Sequence, residues 1–260
     1  MTNSAELQLL PFDSSTASPV SIAYRYDGAA SGKPVFLWLG GFKSDMDGTK
    51  AEALAAWAKE NGAGCLRFDY SGHGLSGGRF EDGTLSQWLA QAGAVRDLIE
   101  GHRTVFVGSS MGGWIALLLA QQLAKEGLET PLALVLIAPA WDMTGLMWEQ
   151  ATEEARAAIR DQGVFYRPST YGDEPYTITR ALIEDGKRLH VDSDGLPMDL
   201  PIRIIHGRED ADVPWQRSLQ IIERVGCPDI RLTLVKDAEH RLSRPQDLAL
   251  LFATLAEFLP

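Results

Sequence analysis

Short runs that are apolar at almost every position recur along this chain: "PVFLWLG", "GCLRFD", "TVFVG", "LALVLIAP" and "IRIIHG". A strand with one wet face alternates apolar and polar residues, so runs without alternation require cover on both faces. The cover is supplied by the stretches between them. "TKAEALAAWAKEN" has helical apolar spacing and stops at Gly62, and "LSQWLAQAGAVRDLIEG", "MGGWIALLLAQQLAKEG", "WQRSLQIIERVG" and "PQDLALLFATLAEFL" read as further helices. With "VSIAYRY" before the first run and "IRLTLV" near the end, the order predicts an α/β chain. Its central sheet is mostly parallel, with helices on both faces.

The rhythm breaks once. From Trp141 to Leu196 helical pieces mix with Pro, Gly, Tyr and Met, and a structureless loop of that length does not suit a compact domain. The expectation is a cap, 141–196, inserted after "LALVLIAP" on the edge where strand ends open, with 1–140 and 197–260 forming the core domain. No internal repeat stands out.

With 260 residues the chain can bury a sizeable core, and 45% hydrophobic with 23% charged residues excludes disorder of the whole chain. The net charge of −11 disfavours phosphate backbones and anionic lipid surfaces, so no nucleic-acid partner is expected. Two cysteines, Cys65 and Cys227, suggest neither a disulfide framework nor a metal site. The first residues, "MTNSAELQLLPFDSS", lack a basic start, a long apolar stretch and a cleavage site, which makes the cytoplasm the expected compartment. "PLALVLIAPA" is too short to span a bilayer, so stable membrane insertion is not expected. Oligomeric state is not legible.

Gly108, Ser110 and Gly112 in "VGSSMGGW" fit the GxSxG nucleophile elbow, with the strand before and helix after that the motif needs. The central residue sits in a strained turn, which demands small neighbours. Ser110 is that residue, and Ser109 is expected to point away from the cleft. The competing reading is a strand-to-helix turn with a capping serine. A serine hydroxyl is a poor nucleophile without a base, so a histidine and a carboxylate must follow later in the chain. His240, in "DAEHRLSRP" between a strand and the last helix, is the best candidate base. His206 is assigned to a strand end with a structural role and His73 to loop geometry, while His102 and His190 read as surface residues. Beyond the strand "IRIIHG", "HGREDADVP" offers Glu209, Asp210 and Asp212 as the acid, and the residues alone do not choose between them. A developing oxyanion needs two amides. Met111, directly after the serine, should supply one, and Phe42, in "GGFKSD" after the first parallel strand, the other.

Taken together, "LGGFKSDMDGTKA", "RFDYSGHGLSGG", "GSSMGGW", "HGREDADVPW" and "EHRLS" resemble the serine α/β-hydrolase superfamily over nearly the whole chain. More narrowly, "GFKSDMDGTKA" and "GSSMGGW" resemble its α/β-hydrolase-domain palmitoyl-protein thioesterases and acyl-glucuronide esterases, one of them mitochondrial, and their bacterial relatives. The resemblance implies an α/β-hydrolase fold and assigns Ser110 as nucleophile and His240 as base. It selects Asp210 because the family pattern is HGxxDxxVP. Many superfamily members carry His-Gly where this chain has Gly40 and Gly41.

The implied chemistry is acyl transfer from an ester or thioester, with no metal or organic cofactor. An aspartate at the elbow would be needed for dehalogenation. Carbon–carbon bond hydrolysis, acyl transfer to another acceptor, and an inactive hydrolase fold used for binding stand as alternatives. Among the cap residues, Trp141, Met143, Leu146, Trp148 and Tyr166 are expected to line the substrate pocket, with Met147, Phe165, Tyr171 and Tyr176 as further apolar cap residues. Arg156, Arg167 and Lys187 are cap cations that could meet an acidic leaving group.

Overall fold

A computed structural model describes residues 5–14, 17–168, 175–189 and 199–260 of the chain. The first strands, β1 (Leu7–Ser14) and β2 (Ala17–Asp27), form an antiparallel pair. The α/β rhythm then follows: β3 (Val35–Leu39), α1 (Thr49–Glu60), β4 (Gly64–Phe68), α2 (Leu85–Asp97), β5 (Thr104–Ser109), α3 (Met111–Glu126) and β6 (Ala133–Ile137). After an insertion it resumes with β9 (Ile202–Gly207), α7 (Gln216–Arg224), β10 (Ile230–Val235) and α8 (Pro245–Ala256). One eight-stranded sheet results, in the order β1-β2-β4-β3-β5-β6-β9-β10. Its strands from β4 to β10 pair in parallel, while β2 joins β4 antiparallel.

Every residue of β3, β4, β5, β6 and β9 is buried, as runs without alternation require. Leu37, Leu39, Phe106 and Leu136 face α2 and α3, whereas Phe36, Trp38, Val107 and Ile137 face α1 and α8. β1 has no counterpart among the expected strands. It is an edge strand with Leu7 and Leu9 exposed and Leu10 and Phe12 turned to the core, and Pro11 is tolerated because an edge leaves one side unpaired.

Between β6 and β9 lie α4 (Met143–Gln150), α5 (Glu153–Asp161), the antiparallel hairpin β7 (Val164–Arg167) with β8 (Tyr176–Thr179), and α6 (Arg180–Gly186). The hairpin is an addition to the helical pieces expected there. Asp142, Thr152 and Thr179 cap the three helices by accepting from the amides of Gly145, Ala155 and Leu182. Asp185 on α6 accepts from the amide and hydroxyl of Ser86, both at 2.8 Å, which fastens the segment to the start of α2. Arg217 on α7 holds Glu149 at 2.8 Å, and Lys43 donates to the Pro175 carbonyl at 3.0 Å. The expected boundary at residues 196 and 197, with Tyr171 and His190, lies outside the described residues.

Candidate active site

At the junction of β5 and α3, Ser110 has φ 55° and ψ −118°, a left-handed conformation that L residues rarely adopt. The surrounding ladder holds it there. The Ser110 amide donates to the Ile137 carbonyl at 2.9 Å, and its carbonyl accepts from Gly113 at 2.9 Å and Ala140 at 3.0 Å. Close packing explains the glycines: a Cβ on Gly108 would come within 2.4 Å of the Gly112 carbonyl oxygen, and one on Gly112 within 1.9 Å of the Leu39 carbonyl oxygen. The turn therefore pushes the Ser110 side chain up at the carboxyl edge of the sheet.

His240, in the turn between β10 and α8, reaches that position. Its Nε2 lies 3.0 Å from Ser110 Oγ, and its Nδ1 lies 2.7 Å from Asp210 Oδ2. A carboxylate can only accept, so Nδ1 carries the ring proton and Nε2 is left to accept from the Ser110 hydroxyl. Of the three carboxylates after β9, only Asp210 makes this bond. Glu209 is exposed, and Asp212 turns its side chain to the cleft while its amide donates to Asp210 Oδ1 at 2.9 Å. The Val213 amide adds a second bond to that oxygen at 2.8 Å.

His206, the last-but-one residue of β9, completes the environment of the carboxylate. Its Nε2 faces two acceptors, the Val213 carbonyl at 3.0 Å and Asp210 Oδ2 at 3.2 Å, so it carries the proton. Its Nδ1 accepts from the Ser218 hydroxyl at 2.7 Å. Burial pulls the Asp210 pKa upward, but the hydrogen bonds from His206 and His240, the His240 charge and the Val213 amide outweigh it and hold the carboxyl well below its ordinary value. Among the described residues, Asp210, Asp212 and His240 are also the one group close enough to share a metal ion. Asp210 already accepts four hydrogen bonds there, so nothing in the donor set calls for an ion.

The loop after β3 closes the other side. Gly40 and Gly41 lead into a turn in which the Ser44 amide and hydroxyl both donate to the Gly41 carbonyl, at 3.1 and 2.8 Å. A Cβ on Gly41 would lie 3.4 Å from Ser110 Cβ, which brings the backbone at Phe42 beside the serine. Neither the Phe42 nor the Met111 amide has a partner among the described residues. The Phe42 ring is fixed by edge contacts with Phe80, centroids 4.9 Å apart, and Trp88, at 6.0 Å, and by Tyr176 at 5.9 Å.

A cleft of about 440 Å³ opens over Ser110 and His240. Met143, Leu146, Met147 and Gln150 line it from α4, spaced as one face of a helix, with Arg167 and Tyr176 from the hairpin. Met143 and Leu146 were expected there; Trp141, Trp148 and Tyr166 were too, and they do not line it. Trp141 is buried against Trp114, centroids 6.3 Å apart, with the Arg224 guanidinium 5.8 Å from its ring centroid. Trp148 falls outside the stripe on α4 and lies between Lys187 and Arg156, 5.1 and 5.7 Å from its centroid. Tyr166 is on the outer face of β7 and is 56% exposed. Of the cap cations only Arg167 borders the cleft.

Residues bordering the cleft that sequence reasoning passed over come mainly from the core: Trp38, Ser44, Asp45, Lys50, Arg241 and Ser243. Lys50 and Asp45 stand in "GFKSDMDGTKA", the stretch that carried the narrow resemblance, and that was the available signal. Ser109 also borders the cleft, but His240 bonds to Ser110.

The profile of the Alpha/beta hydrolase family matches residues 36–250. The chain is 33% identical over 227 residues to the human mitochondrial palmitoyl-protein thioesterase ABHD10, covering 87% of this chain and 73% of that protein. A crystal structure from Agrobacterium vitis S4, described as that of a hydrolase, is 40% identical with a TM-score of 0.93 and covers 98% of this chain and 99% of its own. The mouse α/β-hydrolase domain-containing protein 10 is 31% identical at a TM-score of 0.85, covering 97% and 98% of the two chains.

Proposed function

The chain belongs to the α/β-hydrolase family, and from that premise we propose that it hydrolyses esters or thioesters of hydrophobic acyl groups through an acyl-enzyme on Ser110. The observation that carries this reading is the unbroken hydrogen-bond chain from Ser110 Oγ through His240 to Asp210, 3.0 Å and 2.7 Å long at its two links.

In the first half-reaction His240 Nε2 takes the hydroxyl proton as Ser110 Oγ attacks the acyl carbonyl, and Asp210 stabilises the imidazolium through Nδ1–H. The amides of Phe42 and Met111 receive the oxyanion, and each such donor is worth about a hundredfold to a thousandfold in rate. The imidazolium then returns its proton to the departing alkoxide or thiolate. In the second half-reaction the same nitrogen takes a proton from water, whose oxygen adds to the acyl-enzyme. The proton goes back to Ser110 Oγ as the acid leaves. No metal or organic cofactor enters these steps.

The apolar stripe of Met143, Leu146 and Met147, faced by Phe42 and Tyr176, supports a hydrophobic acyl group as the preferred substrate portion. The human relative named for palmitoyl-protein thioesterase activity supports the same class. In the test, Ser110→Ala should lower hydrolysis of a p-nitrophenyl ester by about 10⁴-fold or more and abolish covalent labelling by a fluorophosphonate. Its thermal unfolding should match that of the parent protein. A variant that kept full activity would remove Ser110 from the reaction.

A further inference from the structure

Lys50 occupies a position that ordinary helix electrostatics disfavours. It is the second residue of α1, where the aligned peptide dipoles leave partial positive charge and a cation is repelled. The side chain is also half-buried. Burial, and after it the charge of Arg241, push its pKa down to about 8, with Glu239 and Asp247 pulling the other way. A lysine kept against both effects needs a contact that compensates them.

The contact is with the turn that carries His240. Lys50 Nζ donates to the main-chain carbonyl of Arg241, the residue after His240, and lies 3.5 Å from Ser243 Oγ. The same carbonyl accepts from the Ser243 hydroxyl at 2.9 Å, and the Arg241 amide donates to Glu239 Oε2 at 2.9 Å. Leu242 follows with φ 45°, its side chain buried in the core between the sheet, α1 and α8. Side-chain bonds and one strained residue thus shape the turn at 239–243, and Lys50 ties it to an element almost two hundred residues away in sequence. Lys50, Arg241 and Ser243 border the same cleft as Ser110 and His240.

We propose that Lys50 is a positioning residue, whose ammonium anchors the Arg241 carbonyl to the first turn of α1 and thereby fixes the His240 ring against Ser110. The inference rests on the serine-hydrolase reading of the site. Geometry of this kind acts on the chemical step: a misplacement of about 1 Å can cost about a hundredfold. Loss of the ammonium should therefore appear in kcat rather than in KM. Deprotonation weakens the donor, so in the parent protein kcat should fall as pH rises through about 8. The groups that set this titration are Arg241 and Glu239 on the turn and Asp247 on α8.

The experiment compares the parent protein with Lys50→Met and Lys50→Arg on p-nitrophenyl butyrate, measuring kcat and KM across pH. Fluorophosphonate labelling of the parent protein comes first, since a parent protein that did not label at Ser110 would fail the proposed function and not this inference. Lys50→Met should lose about tenfold to a hundredfold in kcat with KM nearly unchanged, and its profile should be flat through pH 8. Lys50→Arg, which keeps the charge and most of the reach, should recover part of kcat and move the alkaline fall to higher pH. An unchanged kcat in Lys50→Met, or a loss confined to KM, would overturn the proposal. Should Lys50→Met fail to fold, Lys50→Arg decides, and an alkaline fall left where the parent protein has it would overturn the proposal equally.

Discussion

A methyl group at Gly112 would press on the Leu39 carbonyl oxygen from 1.9 Å and on the Gly40 carbonyl oxygen from 2.6 Å, and neither backbone atom can rotate away. Gly112→Ala should therefore destabilise the protein by about 3 kcal/mol or more, the upper end of overpacking costs. Urea unfolding measures this, and a loss within about 0.5 kcal/mol, the range of ordinary surface substitutions, would mean that the elbow yields. The same crowding made Ser110 legible in the sequence, since only glycines fit on both sides of it. Asp210 was less so. Three carboxylates follow β9, and the choice rests on a turn in which Asp210 Oδ1 accepts from the amides of Asp212 and Val213, leaving Oδ2 toward His240. The bond from His206 to the same carboxylate depends on which way a strand residue points beyond the sheet. A sequence of one chain does not carry that.

At the scale of elements, α4 decides what the cleft can hold. Met143, Leu146, Met147 and Gln150 share one helical face, while Trp148, the largest side chain on the helix, stands off it beneath Lys187 and Arg156. Leu146→Trp should lower kcat/KM for long-chain p-nitrophenyl esters by about tenfold or more relative to the acetate. Trp148→Ala should leave the chain-length profile as it was. Equal losses on acetate and long-chain esters would place the acyl group elsewhere. The existence of an insertion after β6 was readable from the broken rhythm, and so was its apolar character. Its register was not, because α4 starts from Asp142 in a left-handed conformation, and that single turn sets which residues face inward. The β7–β8 hairpin was hidden for a related reason: Tyr166 and Arg167 are neighbours in sequence, but a strand sends one to solvent and the other to the cleft.

For the molecule as a whole, His73 links acidity to stability. It is buried among Tyr70, Phe80 and Trp88, its Nδ1 donates to the Ser71 carbonyl at 3.1 Å, and burial pushes its pKa from 6.5 down to about 4. Between those values the unfolded chain binds a proton that the folded chain does not. The stability is thus complete above about pH 6.5 and lost as pH falls toward 4, by on the order of 3 kcal/mol. Asp210 and Asp247, both held below their ordinary values, add losses at lower pH, while Asp69, raised by burial, opposes them. His73→Asn, which removes the titration, should flatten the melting temperature between pH 6.5 and 4; a slope equal to that of the parent protein would assign the effect to other groups. The sheet itself, mostly parallel and covered on both faces, was legible from runs without alternation, and β2 was readable as "VSIAYRY", whereas the edge strand β1 was not. Its strand order also has a consequence in time. Ser110 and His240 are 130 residues apart in the chain, and His240 follows β10, an edge strand that pairs within the sheet with β9 alone. The proposed nucleophile is therefore synthesised 130 residues ahead of the proposed base. On the proposed mechanism, Ser110 has no imidazole to take its proton in any chain that stops short of His240, so the reaction waits on the last strand and the turn after it.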